Sequence, residues 1–169
     1  MNVGLALFRL VLGLLMAAHG AQKLFGWFGG YGLAAVSGYF ESLGFRPGRF
    51  FATAASLAEF SGGLLLVLGL FGPIGPALMV SVMIVAAISV HWQNGLFAMS
   101  NGIEVPLLYA TGATALALTG PGSYSLDAWL GLTPLWTPAI TLTALGAGVI
   151  GGVANLALRR TPAHAPAAA

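Results

Sequence analysis

Five apolar runs dominate this chain, covering roughly residues 3–25, 50–71, 76–92, 103–119 and 138–158. At ~1.5 Å rise per residue, each is long enough to span or nearly span ~30 Å of hydrocarbon as a helix. The third and fourth are short, so they stand nearly upright or end below the surface. A soluble domain carries about 25% charged residues, whereas here the figure is 6%. Such sparse charge cannot solvate a globule of 169 residues. The expected fold is therefore all-α: a polytopic membrane protein with a four-helix transmembrane bundle plus a fifth C-terminal transmembrane helix. The 25 glycines suit such a fold, because small residues let helices approach closely in lipid.

Domain boundaries follow the same pattern. Residues 1–135 read as the four-helix membrane core, with an interfacial loop at 26–49 that holds a short helix between glycines. Residues 136–160 read as the additional helix, and 161–169, rich in Ala and Pro, as a disordered tail. The first run reads as a retained signal-anchor. Arg9 lies inside it rather than before it, and Ala18-His19-Gly20-Ala21 is a poor cleavage site. Gly120-Pro121-Gly122 breaks the chain after the fourth run, and Ser125 or Asp127 would cap a short helix containing Trp129.

Five crossings place Lys23, Arg46, Arg49, Arg159 and Arg160 on one side, with no Lys or Arg in the loops of the other. The positive-inside rule then gives N-out/C-in. Arg9, toward the outer leaflet, would snorkel there. No cysteine is present, which excludes disulfides, dithiol redox chemistry, Cys-ligated clusters and covalent c-type haem. A net charge of +2 is too small for a nucleic-acid footprint.

Polar residues inside an apolar span are costly and point to function. His19, Gln22 and Lys23 share one stripe of the first helix at i, i+3 and i+4. The topology brings His91 and Glu104 to the same end. Glu59 lies roughly 13 Å along the second span and His19 roughly 9 Å from its helix end, close enough in depth for a hydrogen bond. The candidate pocket is thus His19, Gln22, Lys23, Glu59, His91 and Glu104. For Glu59 the alternative is a structural pair with His19 or Arg9; for His91, anchoring in the aromatic belt beside Trp92; for Glu104, a first-turn carboxylate at a helix N-terminus. No Glu-x-x-His pair occurs on any span, which argues against a di-iron bundle, and no metal site is assigned. Bis-histidine haem through His19 and His91 is the weaker alternative to a bound organic headgroup.

A faint internal echo links the endings His19-x-x-Gln22-x-Leu24-Phe25 and His91-x-Gln93-x-x-Leu96-Phe97. Each precedes a span with one Glu. Two duplicated hairpins in a pseudo-symmetric bundle would explain it, as would coincidence in a chain of limited alphabet. The fifth run carries no polar chemistry, but Gly148 and Gly152, four apart, form a small-residue face for packing within the bundle or against another subunit.

Several segments together resemble the DoxX family of bacterial membrane proteins: His19-Gly20-x-Gln22-Lys23-Leu24-Phe25-Gly26, Gly29-Gly30-x-Gly32, Ala58-Glu59-x-x-Gly62-Gly63, Asn101-Gly102-x-Glu104 and Gly120-Pro121-Gly122-x-Tyr124-Ser125-Leu126-Asp127. They occur in family order over about residues 5–130. The resemblance implies a four-helix core in the bacterial inner membrane; the fifth helix departs from the compact pattern. A related branch is the small membrane subunit of a thiosulfate:quinone oxidoreductase. The resemblance therefore implies an accessory subunit with other redox-complex subunits as partners and a quinone nearby, rather than an intrinsic cofactor. The competing expectations are a structural assembly subunit docking through Gly148 and Gly152, and a small transporter with Glu59 and His19 as a proton relay.

Overall fold

The computed structural model describes residues 2–160; the expected disordered tail lies outside the described residues. Among them the secondary structure is entirely helical. The elements are α1 (Asn2–Phe25), α2 (Gly32–Ser42), α3 (Gly48–Leu68), α4 (Ile74–Ala86), α5 (Glu104–Thr119), α6 (Leu126–Trp129) and α7 (Pro138–Ala157). Past Ala86, α4 runs on through a π turn, Ala87–His91, and a 3-10 turn, Trp92–Asn94.

Four helices are long and apolar enough to cross a membrane: α1, α3, α4 with its extension to Asn94, and α7. The chain is thus a membrane protein by its own composition, with apolar faces suited to lipid. The expected fifth crossing, α5, is helical where the sequence indicates. Its 16 residues reach only about 24 Å at 1.5 Å per residue, short of the hydrocarbon thickness.

Close backbone approach organises the packing. Along α1, Gly13 and Gly20 are seven residues apart and both face α3. A Cβ on Gly13 would lie 2.7 Å from the Gly63 carbonyl oxygen, and one on Gly20 would lie 2.5 Å from the Phe60 nitrogen. Only glycine permits that contact, the most extensive in the molecule. The crossing of α3 with α4 uses Gly62 and Gly75 in the same way. Helix α4 is the hub, touching α3, α5 and α7, and its Met79 and Met83 fill the core with Met16, Leu66, Ala113 and Leu116.

The small-residue face of α7 lies against α4. Gly148 meets Ala77 and Gly152 meets Ser81, too closely for a side chain on either glycine. Both are buried, so this face is occupied within the chain. The two helix pairs of the internal echo, α1 with α3 and α4 with α5, both pack together, the first more extensively than the second.

Long helices consecutive in sequence run antiparallel, whereas α4 and α7 pack in parallel, Gly148 on Ala77 and Gly152 on Ser81. One end of the bundle gathers the C-termini of α1, α4 and α7 with the N-termini of α3 and α5. Helix α2, lying against α3 and α1, covers part of that end. The other end carries the α3–α4 turn, α6 and the start of α7.

Candidate functional site

A cavity of about 420 Å³ opens at the α2 end of the bundle, between α1, α2, α3 and α4. Its walls are mainly apolar: one face of α3 contributes Phe51, Ala54, Ala55 and Ala58, and α4 contributes Val82, Val85 and Ala86. Gln22, Lys23, His91 and Asn155 bring polar groups to it, with Ser81 and Ser89 on α4. The volume and this apolar wall with few polar groups match the general character of small-molecule sites.

Lys23 carries the main charge. Its Nζ donates to Glu59 Oε1 at 2.5 Å, the one ion pair among the described residues. The Lys23 side chain is 31% exposed and that of Glu59 only 3%. Glu59 Oε2 is buried without a hydrogen-bond partner. Lys23 thus links a cavity wall to a carboxylate in the helix interface behind it.

The structure separates this pair from His19. Gly20 is the α1 residue pressed against Phe60 of α3. Measured from Gly20, Lys23 is turned by about 60° and His19 by about 100° in the same sense, so Lys23 lies nearer the α3 contact. His19 is accordingly exposed, and its ring lies edge-on to Tyr109 of α5, centroids 6.2 Å apart. Glu59 therefore pairs with Lys23 rather than with His19 or Arg9.

The remaining predicted residues serve both cavity and scaffold. Gln22 lines the cavity, and its Nε2 donates to the Phe28 carbonyl at 3.1 Å. This bond pins the loop after α1, where Gly30 packs on Gln22 with no room for a side chain. His91 Nδ1 lies 2.8 Å from the Asn101 carbonyl oxygen. A carbonyl only accepts, so Nδ1 carries the proton and Nε2 is the neutral ring's acceptor. Glu104 stays with its own loop, Oε2 accepting from the Ala98 N–H at 2.7 Å, and does not line the cavity. Lys23, Glu59, Gln22 and His91 come together; His19 and Glu104 stand apart.

Two features escaped the sequence reading. Asn155 gives α7 a polar residue at the cavity, although that helix reads as chemically inert. The second lies at the opposite end. Arg9 does not snorkel outward. It is 5% exposed and donates to the carbonyls of Pro121 and Tyr124, both at 2.5 Å. Nearby, Asp127 is fully buried. Its Oδ1 accepts from the Phe71 N–H at 2.9 Å, and its Oδ2 from the Gly72 N–H and from Trp136 Nε1, both at 2.7 Å. The cap on α6 is Ser125, whose Oγ accepts from the Ala128 N–H at 3.1 Å. Asp127 instead knots the α3–α4 turn to the approach of α7.

Neither the curated proteins nor the solved structures include a match to this chain. The model of the DoxX family matches residues 4–92. That interval holds α1 through the end of α4, the cavity residues Gln22, Lys23 and His91, and the buried Glu59. The Asn101–Glu104 and Gly120–Asp127 segments fall beyond it. With more than half its length matched by that model, the chain belongs to the DoxX family.

Proposed function

We propose that this protein is an accessory membrane subunit of a quinone-linked oxidoreductase complex, and that the cavity beneath α2 receives a quinone or similar lipid headgroup. The observation that carries this reading is the Lys23–Glu59 pair, a cation on the cavity wall backed by a buried carboxylate with one unpartnered oxygen. An apolar chamber with a few polar groups suits a flat, uncharged ring bearing two carbonyl oxygens. When bound, a quinone would supply two-electron, two-proton carrier chemistry.

The residues present fit that occupant. Lys23 Nζ has three protons and commits one to Glu59, leaving donors for a carbonyl oxygen. Gln22 and Asn155 offer amide groups, and His91 Nε2 offers an acceptor for a hydroxyl. Glu59 holds the Lys23 ammonium through Oε1 and keeps Oε2 without a partner behind the cavity wall.

In this reading α5 completes a fifth crossing, with Glu104 and Thr119 near the two surfaces. Five crossings collect Lys23, Arg46, Arg49, Arg159 and Arg160 at the cavity end, which is then cytoplasmic in a bacterial inner membrane. The assembly reading that used Gly148 and Gly152 as a docking face is weakened by their burial against α4.

The test is titration of the purified protein with a short-chain quinone analogue. Lys23→Ala/Glu59→Ala removes both charges together and should weaken binding at least about tenfold, a loss of about 1.4 kcal/mol. His19→Ala should leave affinity unchanged. Wild-type affinity in the double variant would overturn the pocket.

A further inference from the structure

We propose that the junction between the α2–α3 loop and the end of α7 is a binding site for the phosphate headgroup of an anionic phospholipid. Arg159 and Arg160 at the end of α7 contact the loop that leads directly into Arg46 and Arg49. The Arg160 N–H donates to the Gly44 carbonyl at 2.9 Å, and Arg159 Nε donates to the Leu43 carbonyl. Gly44 has φ +95°, and a Cβ there would strike the Arg160 carbonyl. The end of α7 is therefore seated directly on the loop. Arg46 is two residues past Gly44, so its Cα lies within about 8 Å of that contact. Arg49 follows in the first turn of α3.

The charge of this cluster is uncompensated among the described residues. Arg46 and Arg49 are exposed, and none of the four arginines forms an ion pair there. Glu41, the nearest carboxylate in sequence, accepts from the Gly48 N–H at 3.1 Å. Guanidinium groups match phosphate oxygens in geometry and charge.

An apolar track starts at the same place. Phe50, beside Arg49, is exposed, and Leu57 and Leu64 continue its line along α3 at seven-residue intervals. Leu158, beside Arg159, is also exposed. Clustered arginines above an apolar helix face suit a molecule with an anionic phosphate and acyl chains, rather than a free anion. The site also abuts the cavity, since Leu43 belongs to its wall. A lipid held there would brace that wall.

Lipid affinity of the full chain in detergent, followed by native mass spectrometry, tests this. Phosphatidylglycerol should bind at least about tenfold more tightly than phosphatidylcholine, with the preference shrinking as salt rises. Arg46→Gln/Arg49→Gln leaves the Arg159 and Arg160 backbone contacts intact and should weaken phosphatidylglycerol binding on the order of thirtyfold, without changing phosphatidylcholine binding. Arg159→Gln/Arg160→Gln should act alike; should it fail to fold, the first pair decides. Equal affinity for the two lipids, or an unchanged preference in Arg46→Gln/Arg49→Gln, overturns the site. Inorganic phosphate that competes at equal concentration would assign it to a free anion and overturn the lipid.

Discussion

Lys23 reaches across the α1–α3 contact to hold Glu59, and the two differ tenfold in side-chain exposure, 31% against 3%. The asymmetry predicts unequal mutational costs. Lys23→Met strands a buried carboxylate and should destabilise the protein by roughly 3 kcal/mol. Glu59→Gln leaves a cation that can turn toward solvent, and should cost less. Lys23→Met/Glu59→Leu, which removes both charges, should recover much of the Lys23→Met loss. Reversible unfolding in mixed micelles measures all three; equal losses in the two single variants would contradict the asymmetry.

Asp127 is the keystone of the opposite end. Its carboxylate takes three donors, two of them backbone N–H groups in a turn where Phe71 has φ +58° and Gly72 φ +45°. A left-handed Phe is costly, and the carboxylate holds it in place. Asp127→Ala leaves three donors without their acceptor and should cost roughly 3 kcal/mol. Asp127→Asn keeps one accepting oxygen and should cost less. The indole N–H of Trp136 also loses its partner, so its fluorescence maximum should move in Asp127→Ala. An unchanged spectrum at wild-type stability would refute this role.

The helices were legible because apolar run length is read along one dimension, and α1, α5 and α7 begin and end within one or two residues of the runs that announced them. Depth along the bundle was legible for the same reason, which put Glu59 and the end of α1 at one level. Direction around each helix was not. His19 and Lys23 share a stripe on a helical wheel, and only the close approach at Gly20 decides that Lys23 faces Glu59. Gly13 and Gly20, seven apart, were the available signal. The bonds from Phe71 and Gly72 to Asp127 join residues 55 or more positions apart, and no local pattern ties an aspartate to the N–H groups of a Phe-Gly turn. Asn155 was overlooked because one amide in an apolar helix carries no charge to mark it.

The absence of cysteine makes the α4–α7 contact directly testable. A Cβ on Gly151 would lie 3.4 Å from Ser81 Oγ, so side chains at the two positions would be in contact across the helix pair. Ser81→Cys/Gly151→Cys should therefore cross-link within one chain on mild oxidation. Gly148→Leu should abolish that cross-link by forcing α7 away from Ala77. A disulfide between chains, or none, would place α7 elsewhere.

Sidedness rests on α5. Were α5 to stay on one side, the four long helices alone would put the two termini on the same side of the bilayer; with α5 crossing, they lie on opposite sides. Met99, fully exposed in the loop before α5, and Trp129, exposed in α6 after it, report the difference. In the cysteine-free background, Met99→Cys should react with an impermeant maleimide only when the cytoplasmic face is accessible. Trp129→Cys should react in intact cells stripped of their outer barrier. Labelling of both positions from one side would overturn the fifth crossing, and with it the N-out/C-in assignment and the parallel packing of α7 on α4.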